Sequence, residues 1–410
     1  MVASEVRALF AVASRPEVVS LAGGMPNVSA LPLEHIGEIV QQVIAEQGAT
    51  ALQYGSAQGD PVLREQICDV MALEGIDAGA DDVIVTVGSQ QALDLVTRVF
   101  VDPGDVVLCE APTYVTAINT FAAFQADIRH VAMDGDGVIP EALEETLTRL
   151  AAAGRPVKFF YTVPNFQNPA GVTLSAERRR RVLEICRAHN LLVLEDNPYG
   201  LLRYEGEAVR ALRADAPDNV IYLGSFSKTL SPGFRIGWAL APSAVRAKLV
   251  LAAESAMLSH SSFNQMVVGR YLSTHPWREQ IKDFNEMYRE RRDTMLASLE
   301  AMMPAGTTWT RPEGGFFVWV TLPEGLDAKA MLPRAVGKRV AYVPGTGFYA
   351  SDEGRRNMRL SFCYPSPDQI SEGIRRLVGV MKSEISLRDT FGTASARPPA
   401  GNDAPSPDLP

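Results

Sequence analysis

Residues 157–196 read "VKFFYTVPNFQNPAGVTLSAERRRRVLEICRAHNLLVLED" and hold one complete structural unit. The stretch "VKFFYTV" (157–163) is a short run of β-branched and aromatic residues, the composition of a buried strand. "SAERRRRVLEICRAH" (175–189) spaces its apolar residues at helical period behind Ser175, a hydroxyl residue suited to cap a helix start. "LLVLED" (191–196) returns to strand. Strand, helix and strand in succession is the mark of βα units around a largely parallel sheet. The rhythm recurs on both sides. "DVIVTV" precedes the helical "SQQALDLVTRVF", "DVVLCE" precedes "PTYVTAINTFAAF", and "VIYLGS" and "RIGWALA" extend the series. The fold class is therefore expected to be α/β.

The pattern changes near Pro276. A long charged helix, "FNEMYRERRDTMLASLEAM", leads into the short strands "GGFFVWVTL", "VAYVPG" and "NMRLSF". This predicts a large domain over residues 31–275 and a smaller α+β domain over 276–383. Residues 1–30 form an N-terminal arm packing with the smaller domain and the substrate site. The last residues, "TASARPPAGNDAPSPDLP", have too little apolar surface to order themselves, and a disordered tail is expected over 384–410.

With 410 residues, a formal net charge of −9 and 46% apolar residues, the composition suits a globular protein that handles small molecules. It argues against nucleic acid or an anionic membrane as partner. Cys68, Cys109, Cys186 and Cys363 are far apart and form no CxxC pair, so neither a disulfide frame nor a zinc site is expected. The histidines show no metal spacing, and no metal is expected. The start "MVASEVRALF" lacks a secretory pattern, and no stretch is long and apolar enough to span a bilayer, so the protein is expected to be cytoplasmic. The run "ERRRR" from Glu177 sits inside a helical pattern and reads as a solvated face with at most one inward stem.

In open parallel sheets, ligands bind beyond the carboxyl ends of the strands. "VTVGSQQ" ends a strand at a glycine and opens a helix at Ser89 and Gln90, where free amides and the helix dipole can hold a phosphate. "APTY" presents Tyr114, whose ring can stack on a planar ligand. "VPNFQNPAG" presents Asn168, "LEDNPYG" presents Asp196 and Tyr199, and "SFSKTLSPGFRIG" presents Lys228 followed by Arg235. An amine, a carboxylate, an aromatic platform and a phosphate cup together are what pyridoxal 5'-phosphate requires, because that coenzyme is an aldehyde that condenses with a lysine.

With "AGGMPN", "LQYGSAQG", "GSQQALDL", "PNFQNPAG", "EDNPYG", "GSFSKTLSPGFRIGW", "RPEGGFFVWV" and "NMRLSF" in that order, the chain up to about residue 383 resembles the fold-type I, class I and II aminotransferases. The resemblance is to the subgroup that includes 2-aminoadipate and kynurenine aminotransferases. It implies that Lys228 binds the coenzyme as a Schiff base and shuttles a proton between the substrate Cα and the coenzyme. Asp196 would pair with the pyridine nitrogen, Asn168 and Tyr199 with the phenolic oxygen, and Tyr114 would stack on the ring. Ser225, Ser227 and Arg235, with the amides of Ser89 and Gln90, would hold the phosphate. Arg359 would grip the substrate α-carboxylate and Gly24 would line the substrate pocket. Tyr54 matches a tyrosine lent by the neighbouring subunit, which implies a homodimer with shared active sites.

The resemblance also places Arg7, in "SEVRALF", where related enzymes bring an arginine to a distal carboxylate. The implied reaction moves an amino group between an L-amino acid and a 2-oxo acid by a ping-pong mechanism. Glutamate and 2-oxoglutarate would form one pair, with 2-aminoadipate, an aromatic or a branched-chain amino acid in the other. Two departures from the family pattern occur: Ala170 where threonine is common, and Asn197 in place of a frequent second aspartate. Two alternatives use the same scaffold. One is a lyase or decarboxylase; the other is a non-enzymatic effector module of a winged-helix regulator, disfavoured because the family-like region begins almost at Met1.

Overall fold

The computed structural model describes residue 15 and residues 17–391. Arg7 and most of the expected tail lie outside the described residues. In chain order the strands are β1 (Val19–Ser20), β2 (Val83–Thr86), β3 (Val106–Ala111), β4 (Asp127–Asp134), β5 (Gly137–Val138), β6 (Val157–Thr162) and β7 (Leu192–Asp196). They continue as β8 (Val220–Ser225), β9 (Gly237–Leu240), β10 (Thr308–Trp309), β11 (Phe317–Thr321), β12 (Val340–Ala341), β13 (Val343–Pro344) and β14 (Asn357–Ser361).

One sheet of eight strands runs in the order β2-β9-β8-β7-β6-β3-β4-β5. Strands β4, β3, β6, β7 and β8 are mutually parallel, whereas β9 runs antiparallel to both β8 and β2, and β5 to β4. The mostly parallel sheet anticipated from the βα rhythm is present. The helix Ala176–Ala188 links β6 to β7, and its first turn is closed by the Ser175 side chain, which accepts from the Arg178 amide. Successive residues of a strand point to opposite faces, and the apolar strands obey this. Val107, Cys109, Phe159, Tyr161 and Leu194 join one core cluster, while Val106, Leu108, Phe160 and Val193 join another on the other face. Asp196 therefore shares its face with Leu194, and the intervening Glu195 points the other way.

A second sheet, β10-β11-β14-β13, is antiparallel throughout. "VAYVPG" looks like one strand in the sequence but serves two sheets. Its β12 half pairs in parallel with β1, and its β13 half joins β14. Strand β4 carries no continuous apolar run and escapes a pattern search. The final helix, Pro367–Phe391, continues past residue 383, which corrects the expected start of the disordered tail at 384. Its last turns are tied down by Glu384 pairing with Arg334, by Ile385 packing on the core, and by Arg388 donating to the Glu324 carbonyl at 2.6 Å. Among the described residues no helix is long and apolar enough to cross a membrane.

Glu195, fully buried, accepts from the amides of Leu212 (3.0 Å) and Arg213 (2.8 Å) at the start of the short helix Leu212–Asp215. Burial pushes its carboxyl up to about 7, against the pull of Arg179 and those two amides. Glu195→Ala leaves both amides buried without an acceptor. We expect it to cost about 2–4 kcal/mol and to lower the thermal midpoint of the coenzyme-free protein; an unchanged midpoint would count against this role.

Candidate active site

Because the strands run in parallel, the ends of β6, β7 and β8 deliver their following residues to one edge of the sheet. There Gly24, Ser89, Gln90, Tyr114, Asn168, Asp196, Tyr199, Ser225, Ser227, Lys228, Arg235 and Arg359 line one cavity of about 440 Å³. Tyr54 does not line it; the residue is 77% exposed on this chain's surface.

Two ionisable groups dominate the floor. Asp196 accepts a 2.8 Å hydrogen bond from the Tyr161 hydroxyl on Oδ2, while its Oδ1 is buried with no donor among the described residues. Burial raises its carboxyl to about 6, although the Tyr161 bond and the positive charge of Lys228 oppose the rise. Lys228 Nζ donates to the Gly24 carbonyl at 2.8 Å and lies 5.7 Å from the Phe316 ring centre.

The helix Gly88–Phe100 begins at the cavity wall, and its N-cap residue Val87 offers no side-chain acceptor to the first-turn amides. Those amides and the positive end of the helix dipole face an anion-sized space. Arg235, in a left-handed conformation at φ +54°, donates through Nη2 to the Val87 carbonyl at 3.0 Å. A Cβ on Gly88 would stand 2.8 Å from that same Nη2, and Gly88 itself has φ +71°. Only glycine lets the guanidinium lie over the helix start. Ser225 and Ser227 are joined hydroxyl to hydroxyl at 2.9 Å, and the Ser227 amide donates to Ser225 Oγ at 3.0 Å.

The second sheet supplies the remaining cation. Arg359 on β14 is buried, donates to Asn168 Oδ1 at 2.8 Å and to the Ala22 carbonyl at 2.7 Å, and its Nε has no partner among the described residues. Its guanidinium lies 4.1 Å from the Phe317 ring centre. Tyr199 packs edge-on against Phe316 and Phe317, and burial drives its hydroxyl far above the usual tyrosine range.

These residues fit pyridoxal 5'-phosphate. Asp196 Oδ1 is an acceptor awaiting a donor such as a protonated pyridine nitrogen, the helix start with Arg235 and the paired serines can hold a phosphate, and Lys228 is the amine. Tyr161 has no signal in the sequence beyond a hydroxyl inside the run "VKFFYTV". Cys363, which no sequence motif points to, has a thiol that donates to the Met25 carbonyl at 3.1 Å and so pins the segment that carries Gly24.

The family model "Aminotransferase class I and II" matches residues 16–377. Aromatic-amino-acid aminotransferase 1 of Thermococcus litoralis is 45% identical over 94% of this chain and 93% of its own length. The 2-aminoadipate transaminase of Thermus thermophilus is 38% identical over 94% of this chain and 95% of its own. Among solved structures, the kynurenine aminotransferase of Pyrococcus horikoshii, crystallised with PMP, superposes with a TM-score of 0.90 at 44% identity, covering 94% of this chain and 96% of that one.

Burial pulls the Lys228 ammonium down to about 8; Arg359 and Arg235 push in the same direction, while Cys363 and Asp196 oppose it. Only the uncharged amine attacks an aldehyde. The rate at which coenzyme-free protein takes up the coenzyme is therefore expected to rise with pH up to about 8 and level off above it. A stopped-flow rate that keeps climbing into the ordinary lysine range, about 10, would contradict the depressed value.

Proposed function

The chain belongs to the class I and II aminotransferase family, is a pyridoxal 5'-phosphate enzyme, and we propose that it exchanges amino groups between an L-amino acid and a 2-oxo acid in two half-reactions at one site. The observation that carries the assignment of roles is the unpartnered Asp196 Oδ1 on the cavity floor it shares with Lys228. The coenzyme, when bound, supplies an electron sink for the bond broken at the substrate Cα.

The residues of the chain do the rest. Lys228 Nζ would hold the coenzyme through its aldehyde, and the same amine would carry the substrate Cα proton. Asp196, its carboxylate favoured by the Tyr161 bond, would keep a proton on the ring nitrogen. Asn168 and Tyr199 would hold the phenolic oxygen, Tyr114 would cover the ring, and Ser89, Gln90, Ser225, Ser227 and Arg235 would hold the phosphate. Arg359 orients the substrate α-carboxylate by exchanging its bond to Asn168 or the Ala22 carbonyl for a two-pronged grip.

Glutamate and 2-oxoglutarate form one substrate pair, and the partner pair is aromatic, 2-aminoadipate or branched-chain. The names of the Thermococcus and Thermus relatives support the aromatic and 2-aminoadipate options, and Met25, Val115 and Phe317 in the cavity wall support an apolar side chain. The enzyme acts as a cytoplasmic homodimer in which Tyr54 reaches the neighbouring subunit's phosphate. Its exposure, with Leu52 beside it at 73%, supports this.

Single amino acids mixed with the coenzyme-loaded protein are expected to shift the coenzyme absorbance, with release of the matching 2-oxo acid, for glutamate and for at least one aromatic or aliphatic partner. No shift with any common amino acid, or a product that has lost a carboxyl group, would overturn the reading. Arg359→Lys is expected to raise KM for the amino acid about tenfold or more while kcat changes less, because a single ammonium cannot reproduce the two-pronged grip.

A further inference from the structure

Behind the floor of the cavity lies a buried polar relay that joins the loops carrying the ring-facing residues. Asn197 directly follows Asp196, is 4% exposed, and is fixed by its amide donating to the Leu223 carbonyl at 2.9 Å. Its side-chain oxygen accepts from Asn165 Nδ2 at 3.0 Å, and Asn165 stands three residues before Asn168. Its side-chain nitrogen donates to Glu74 Oε1 at 2.6 Å. Glu74, two residues beyond the helix Pro61–Ala72, accepts from the Tyr222 hydroxyl on Oε2 at 2.8 Å. The other end is held by Arg179, the one inward stem of the "ERRRR" run, whose guanidinium donates to Asn165 Oδ1 at 2.6 Å and to the Leu174, Pro164 and Arg210 carbonyls. Gly200 closes over the junction, since a side chain there would collide with the Glu74 carboxylate.

We propose that Asn197 is a positioning residue that sets the spacing between the Asn168 loop and the Asp196–Tyr199 loop, and that Glu74 is what requires an amide at position 197. The direction of each bond makes the case. Asn165 donates to residue 197, so either an amide or a carboxylate oxygen serves there. Glu74 accepts from residue 197, so only a group with a proton serves on that side. Glu74 has Tyr222 and Asn197 as its donors; Arg179 is the cation that acts on it, and Glu195 on β7 adds a second negative charge nearby. Burial already raises the Glu74 carboxyl. A second carboxylate facing it would share one proton with it at low pH and repel it once both ionise. The loops would then part, moving Asp196 relative to Asn168.

This inference rests on the coenzyme site described above and is tested on the coenzyme's own affinity. Pyridoxal 5'-phosphate dissociation constants are measured by absorbance from about pH 5.5 to about pH 8.5 for the unsubstituted protein, Asn197→Asp, and the double variant Asn197→Asp with Glu74→Gln. The ratio of the single variant to the unsubstituted protein is expected to stay within about twofold at the acid end and reach about tenfold at the alkaline end. The double variant, which restores one carboxylate facing one amide at an unchanged net charge, is expected to bring the ratio back to within about threefold across the range.

A ratio near one throughout overturns the proposal, as does a loss equal at every pH or a loss that Glu74→Gln leaves in place. A single variant that fails to fold at any pH, with the double variant no better, also overturns it. Absence of coenzyme binding by the unsubstituted protein would instead sink the reading of the site beneath it.

Discussion

A carboxylate oxygen buried without a donor, on the floor of a cavity it shares with a depressed lysine, is the constraint around which this protein is arranged. In a low-dielectric interior an orphaned acceptor is costly, and burying the Lys228 ammonium is costly too, which pulls it down to about 8. Both costs are sustained because the surrounding fold overdetermines the two groups. Tyr161 fixes one Asp196 oxygen, the Gly24 carbonyl holds Lys228, and the parallel strands β6, β7 and β8 end side by side so that their loops converge. A ligand offering a protonated ring nitrogen and an aldehyde answers both groups together.

The opposite wall comes from a different sheet. Arg359 reaches from β14 to Asn168 on the large sheet's edge and to Ala22 in the segment that follows β1. That segment is itself held by β12, by the Ser361 amide donating to the Leu21 carbonyl at 2.8 Å, and by the Cys363 thiol. Arg359 therefore bonds to groups from both neighbouring elements, and its position reports how they sit against each other. Its Nε has no partner among the described residues, so these neighbours do not satisfy it fully.

Most of the cavity was legible in the sequence for one physical reason: groups that follow parallel strands must arrive at the same edge, so Asn168, Asp196, Ser225 and Lys228 could be gathered without a structure. Residues that act from inside a strand were hidden. Tyr161 lies within β6, and only the alternation of faces and the register of β6 on β7 bring its hydroxyl to Asp196. Glu74 and Cys363 were hidden because their partners are far away in the chain. Asn197 is visible in the sequence only as a departure from a pattern; Glu74, to which it donates, lies 123 residues away. Strand β4 lacked an apolar run, "VAYVPG" divided between two sheets, and the last helix outran its compositional boundary because tertiary contacts hold Glu384, Ile385 and Arg388. Arg7 lies outside the described residues.

One nitrogen, Lys228 Nζ, is proposed to hold the coenzyme, and its identity can be read directly. Borohydride treatment of the coenzyme-loaded protein, followed by proteolysis and peptide mass analysis, locates the lysine to which the coenzyme becomes permanently attached. The label is predicted on the peptide containing Ser225 to Arg235, at Lys228 alone. A label on a different lysine, or none on a protein that visibly binds the coenzyme, would contradict the account.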